Sequence, residues 1–159
     1  MNNSIPIFDE PTNEPVLNYE PESKERKNLI QKLKELKNKE LEIPIIIGGK
    51  EVKTGNIGKC VMPHEHNYIL AYYHKAGEKE VQLAIENSLK ARKIWDEFSW
   101  VDRISIFKKA ADLLSTKWRS TLNAATMLCQ SKNAYQAEID AACELTDFFR
   151  FNSYYATKI

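Results

Sequence analysis

The chain has 159 residues, 43% of them hydrophobic and 28% charged, with a formal net charge of +1. That length makes one domain or a piece of one. The balanced charge argues against a nucleic-acid partner, because phosphate binding needs a concentrated basic surface, and no apolar run reaches the length of a membrane span.

Residues 1–22 carry Pro6, Pro11, Pro15 and Pro21 among Asn and Glu residues, a density that favours an extended arm over a helix. Ser23 offers an N-cap for a helix running to about Leu41, with Leu29, Ile30, Leu33 and Leu36 as a narrow apolar stripe. The many lysines on this helix are nearly balanced by glutamates, so a solvated face is expected rather than a membrane-binding one. Pro44 ends the helix and Ile45–Ile47 begins a strand. Gly48-Gly49 supplies a tight hairpin turn, and Lys50–Val52 returns. Glycines before a lysine resemble a phosphate loop only superficially, since the spacing and the following hydroxyl are missing. A further turn is expected at Thr54-Gly55-Asn56.

His64-Glu65-His66, with His74 nearby, is the most tempting metal pattern. Two imidazoles on alternate residues can share a face, but a zinc site needs three or four ligands and nothing at ligand spacing completes the set. A polar loop after Pro63 is expected instead, leading into a strand over Tyr68–Tyr73. Gly77 precedes a helix over Glu78–Phe98 whose inner face is Val81, Ala84, Ile85, Leu89 and Trp95. Ser99 caps the next helix, with Ile104, Phe107, Ala110, Ala111 and Leu114 facing inward. A fourth helix follows Thr116.

Asn133–Asn152 reads as a helix apolar on most sides and therefore buried. Its charges Asp140, Glu144 and Asp147 fall at i, i+4 and i+7 and stack into one acidic stripe, with Arg150 placed to pair with Asp147. The stripe is either a solvent-facing edge or an acidic wall of a polar site, and periodicity cannot choose between them. The run Ser153–Ile159 carries no Gly, Asn or Pro stop signal, so the helix is expected to continue to the end of the chain, as if cut. Helical faces outnumber the strands available to cover them.

Four stretches in order, NEPVLNYEPESKER, IPIIIGGKEVKTGN, IFKKAADLL and QSKNAYQAEIDAACELTDFFRFN, resemble the N-terminal part of delta-1-pyrroline-5-carboxylate dehydrogenases, a branch of the NAD-dependent aldehyde dehydrogenase superfamily. The resemblance runs from Asn13 to Ile159. It implies an α/β fold by family, with this piece mostly α-helical plus a few short strands: an arm over 1–22, then an incomplete NAD-binding domain over 23–159. It also implies oxidation of L-glutamate γ-semialdehyde to L-glutamate in proline catabolism, with NAD as cofactor. In that chemistry a cysteine thiolate attacks the aldehyde, hydride passes to NAD, and a glutamate activates the water that releases the acid.

The family's catalytic cysteine, its base and its dinucleotide loop have no counterparts here. Cys60, Cys129 and Cys143 are odd in number, widely spaced and without a CxxC, so no disulfide framework is expected. All three are read as structural. A reducing, cytoplasmic compartment fits, and no signal or transit segment opens the chain. The resemblance carries over one site residue, Glu144, which matches a glutamate lining the aldehyde site. Beside an anionic substrate its expected role is positioning through hydrogen bonds rather than general base. The small-molecule substrate and a homo-oligomeric state are expected of the whole enzyme, and the chain by itself is expected to be inactive. The alternative is a non-catalytic helical docking or oligomerisation module.

Overall fold

The computed structural model describes residues 7–159, so the start of the expected arm, Pro6 included, lies outside the described residues. Residues 7–20 run without helix or strand. Ser23 then caps helix α1 (Lys24–Lys37), its Oγ accepting from the Arg26 N–H at 3.3 Å. The helix stops at Lys37, short of the expected Leu41. The Asn38 N–H closes it on the Lys34 and Leu36 carbonyls, and Leu41–Ile43 becomes strand β1. Lys, Glu and Leu favour helix locally, but a free strand edge elsewhere in the chain claims these backbone groups.

Strands β2 (Ile45–Ile47) and β3 (Lys50–Val52) form the expected hairpin, with Gly48 and Gly49 at φ of 57° and 76°. Such angles suit a two-residue turn that favours glycine. Strands β4 (Ile57–Met62) and β5 (Glu65–His74) pair antiparallel, and β1 adds to β5 in parallel, giving the order β1-β5-β4. β5 begins at Glu65, earlier than the expected Tyr68, because β4 was not foreseen and it supplies the partner. The β4 register shifts on either side of Val61, a bulge that re-aims its neighbours.

Gly77 precedes α2 (Glu78–Glu97), and the Ser99 Oγ accepts from the Asp102 N–H at 3.2 Å to start α3 (Trp100–Ser115). α4 (Arg119–Gln130) follows, then the single turn α5 (Ala134–Ala137) and, after a wider turn, α6 (Glu144–Tyr155). α1 packs on α4 around Leu29 and Ala124, and Met62, Leu70 and Leu128 join the sheet to α4. α3 packs on α6, where the Phe107 and Phe149 rings stack at 5.8 Å.

The expected inner face of α2 is not covered. None of its residues is buried, and Leu89 is 59% exposed. It touches the β2 hairpin and leans Trp95 on Phe107, but Val81, Ile85 and Leu89 each stay half exposed or more. The last helix also departs from expectation, ending at Tyr155. The Thr157 N–H and Oγ both reach the Tyr154 carbonyl, at 2.9 and 2.7 Å, so a hydroxyl and a tightened turn do what a glycine would have done.

Candidate functional site

The expected single helix over Asn133–Asn152 is broken by a π-helical turn at Glu138–Cys143. The Glu144 N–H closes that turn on the Ile139 carbonyl, five residues back, and the α-helix resumes from Glu144. Such insertions in a helix are frequent at functional sites. The extra residue per turn also takes apart the acidic stripe, which assumed uniform α spacing.

Its three carboxylates go separate ways. Asp140 is exposed and pairs with the Lys132 ammonium at 2.6 Å. Asp147 is half-buried and accepts from Asn13 Nδ2 and from the Glu14 N–H, both at 2.7 Å, so it fastens the arm to α6. Arg150 does not pair with Asp147; its Nη1 lies 2.6 Å from Glu14 Oε2. Glu144 stands exposed between these groups and, among the described residues, its side chain makes no hydrogen bond or ion pair. Phe148, one turn beyond it, is 59% exposed, whereas the apolar sides of this helix are expected to be buried.

The π-turn opens on Glu138, a residue that helical periodicity does not single out. It is fully buried. Its carboxylate accepts from the Tyr19 hydroxyl and Asn123 Nδ2 at 2.7 Å each, from the Leu17 N–H at 2.8 Å, and from the Arg119 guanidinium. Burial works to raise its pKa, but the Arg119 bonds, then Tyr19, Leu17 and Asn123, outweigh it and hold the carboxyl below the usual carboxylate range. Arg119 also bonds the Glu14 carboxylate and reaches the Pro15 carbonyl at 2.6 Å. Burial opposes its charge, yet Glu138 and Glu14 together push its pKa upward. Burial and the bond to Glu138 push the Tyr19 phenol up as well. Tyr19 sits at φ 53°, a conformation unfavourable for a bulky side chain, and the two bonds to its hydroxyl hold it there. Two carboxylates and two guanidiniums, Glu14, Glu138, Arg119 and Arg150, thus tie arm, α4, π-turn and α6 into one balanced knot.

Of the metal pattern, His64, Glu65 and His74 each have a protein partner. His64 Nδ1 lies 2.7 Å from Ser131 Oγ, and Glu65 pairs with Lys37 at 3.3 Å. His74, at the far end of β5, accepts the Gly55 N–H on Nδ1 and donates from Nε2 to Glu42 at 2.9 Å. Cys143 is buried beside Glu138, and burial and that negative charge push its thiol up to about 11, the reverse of what a nucleophile needs. Gly77 at the head of α2 gives its N–H to the Glu80 carboxylate at 2.8 Å. With Glu78 and Glu80 in that first turn, it repels rather than cradles phosphate, so the residues present do not fit a dinucleotide by themselves. Trp95, Phe107, Phe149 and Asn152 line a mostly apolar cleft of about 390 Å³ between α2, α3 and α6, and Glu144 is not part of it.

The aldehyde dehydrogenase family model matches residues 51–159. A probable delta-1-pyrroline-5-carboxylate dehydrogenase of Schizosaccharomyces pombe is 48% identical over 148 residues, which cover 92% of this chain and 27% of that protein. The human mitochondrial delta-1-pyrroline-5-carboxylate dehydrogenase is 45% identical over 147 residues, covering 92% of this chain and 26% of the human one. The crystal structure of the Mycobacterium tuberculosis enzyme bound with NAD superposes with a TM-score of 0.95 at 39% identity, over 98% of this chain and 29% of that one. The chain therefore spans little more than a quarter of the curated relatives' length. No helix among the described residues is long and apolar enough to cross a membrane. With the match extending over well more than half of its residues, this chain belongs to the aldehyde dehydrogenase family, whose members metabolise small molecules.

Proposed function

We propose that this chain is the N-terminal part of an NAD-dependent dehydrogenase that oxidises L-glutamate γ-semialdehyde, the open form of pyrroline-5-carboxylate, to L-glutamate in proline catabolism. The observation that supports it most directly is the near-complete overlap of the described fold with the NAD-bound Mycobacterium tuberculosis enzyme. NAD, when bound, accepts the hydride; its binding loop, the nucleophile and the base would come from sequence outside these 159 residues. The chain's own contribution is a scaffold. Within the arm proposed over 1–22, residues 13–19 strap α4 to α6, and the part over 23–159 supplies the hairpin, the sheet and the helices that border the dinucleotide domain. The uncovered row on α2 fits a surface that the remainder of such an enzyme would cover.

Within that scaffold, Glu144 would face the aldehyde. It is exposed, without a partner of its own among the described residues, and placed where the π-turn returns to α-helix. A carboxylate there cannot attract an anionic substrate, so its role is to orient a neighbouring polar group by hydrogen bonding. Cysteine usage supports a cytoplasmic setting, although the Dictyostelium discoideum and human relatives are named as mitochondrial. A homo-oligomer is proposed for the whole enzyme.

The test is a chimaera in which residues 1–159 replace the corresponding segment of the Schizosaccharomyces pombe relative. NAD reduction with pyrroline-5-carboxylate is expected from the chimaera and none from the 159 residues alone. Glu144→Ala in the chimaera should raise KM for the aldehyde about tenfold with KM for NAD unchanged. A folded chimaera inert toward pyrroline-5-carboxylate but active on another aldehyde would overturn the substrate assignment. The exposed apolar faces also suit a non-catalytic docking module; a folded chimaera inert toward every aldehyde, with the 159 residues binding to full-length subunits, would favour that reading.

A further inference from the structure

The three cysteines divide into one buried thiol and one facing pair. Cys60 on β4 is half-buried and Cys129, in the last turn of α4, is exposed; both are free thiols, with their sulfurs 3.8 Å apart. The pair is placed by the core, not by chance exposure. Cys60 lies two residues from Met62 and Cys129 follows Leu128, and Met62 and Leu128 are packed together in the buried cluster between sheet and α4. The thiols sit at the rim of that cluster, on the two elements it joins. The bulge beginning at Cys60 bends β4 at this point. A disulfide needs the sulfurs at about 2.0 Å, a closure of under ~2 Å that side-chain rotation can supply.

We propose that Cys60 and Cys129 are a reversible dithiol–disulfide pair that, when oxidised, staples β4 to α4. The oxidant class is a low-molecular-weight disulfide such as oxidised glutathione. One protein thiolate attacks a sulfur of the small disulfide and expels one glutathione thiolate, leaving a mixed disulfide on the protein. The second protein thiolate then attacks the protein sulfur of that mixed disulfide and expels the other glutathione. Two protein thiols lose two protons and two electrons, and the small disulfide is reduced to two thiols. Burial, and then the hydrogen bond with Cys60, push the Cys129 thiol up to about 11, so it stays protonated at neutral pH and exchange there is slow. In a reducing compartment the resting form is the dithiol. Cys143, enclosed in the Arg119–Glu138 knot, takes no part.

The experiment equilibrates the 159-residue chain with a reduced and oxidised glutathione buffer, in native buffer and again in concentrated urea. After acid quenching and alkylation, the disulfide-linked peptides are identified by mass spectrometry. In native buffer the expected product is the Cys60–Cys129 crosslink, two hydrogens lighter than the dithiol, with Cys143 alkylated. Its equilibrium constant against glutathione should exceed that in urea at least about tenfold, because the fold holds the sulfurs together. Cys60→Ser or Cys129→Ser should convert the product to a mixed disulfide with glutathione on the remaining thiol. Repeating the measurement in Cys143→Ser removes the competing thiol and should leave the ratio unchanged. Equal constants in native buffer and urea, crosslinks to Cys143 in comparable yield, or mixed disulfides on both Cys60 and Cys129 would each overturn the proposal.

Discussion

Arg119, at the start of α4, and Glu138, at the head of the π-turn, hold each other in the interior, with Arg119 Nε 3.2 Å from Glu138 Oε1 and 3.3 Å from Oε2. The pair spans 19 residues of sequence but also recruits Leu17 and Tyr19 from the arm, well over a hundred residues away from Glu138. A buried pair of this kind contributes more to choosing one arrangement than to raw stability, since desolvation offsets much of the attraction. Removing one partner is a different matter, because it strands the other charge.

Glu138→Ala should therefore lower stability by roughly 3–5 kcal/mol, and Arg119→Met by a similar amount. Urea unfolding of the chain reads both. If the double variant is no worse than either single one, the coupling is confirmed. Simple additivity of the two losses would show that the residues act independently.

The same carboxylate sets an acid limb. The folded Glu138 pKa lies below its unfolded value of about 4.3, so the unfolded chain binds more protons as pH falls. Its contribution is complete above about pH 5 and is lost as pH drops through the depressed folded value. Melting temperatures between about pH 3 and 6 should fall steeply in the wild type and less steeply in Glu138→Gln. Identical slopes would remove Glu138 as the cause.

Gly58 offers a test within the sheet. It pairs with Tyr73, and a Cβ at Gly58 would stand 2.3 Å from Cζ of the tyrosine ring, which lies over the glycine. Gly58→Ala should cost about 1–3 kcal/mol through overpacking. Tyr73→Ala should itself destabilise by exposing the glycine, yet relieve the alanine's cost in the double variant. A thermal-unfolding cycle across the four proteins measures that compensation.

On α6, stability should separate two carboxylates three residues apart. Asp147→Ala removes the acceptor for Asn13 and for the Glu14 N–H and should cost about 1–2 kcal/mol. Glu144→Ala removes nothing that the described residues use and should stay within about 0.5 kcal/mol of wild type. A large loss at Glu144 would mark it as a structural residue and weaken its proposed place at the aldehyde.

What the sequence determined by itself is what depends on a few adjacent residues. Ser23 and Ser99 cap helices because a hydroxyl there meets an N–H three positions on. Gly48-Gly49 turns a hairpin because only glycine adopts those angles freely. The mixed helical composition and the family resemblance were readable in the same way, from order and spacing. Tertiary structure decided everything that needed a distant partner. Leu41–Ile43 is strand because β5 offers an edge, and Arg150 takes Glu14 because the arm brings it there. The acidic stripe dissolves because Glu138, drawn into the interior by Arg119, Tyr19, Asn123 and Leu17, widens the helix just before Glu144. Helical periodicity counts neighbours at three and four residues. It carries no term for a buried charge whose partners lie on other elements, and that charge is what sets the geometry here.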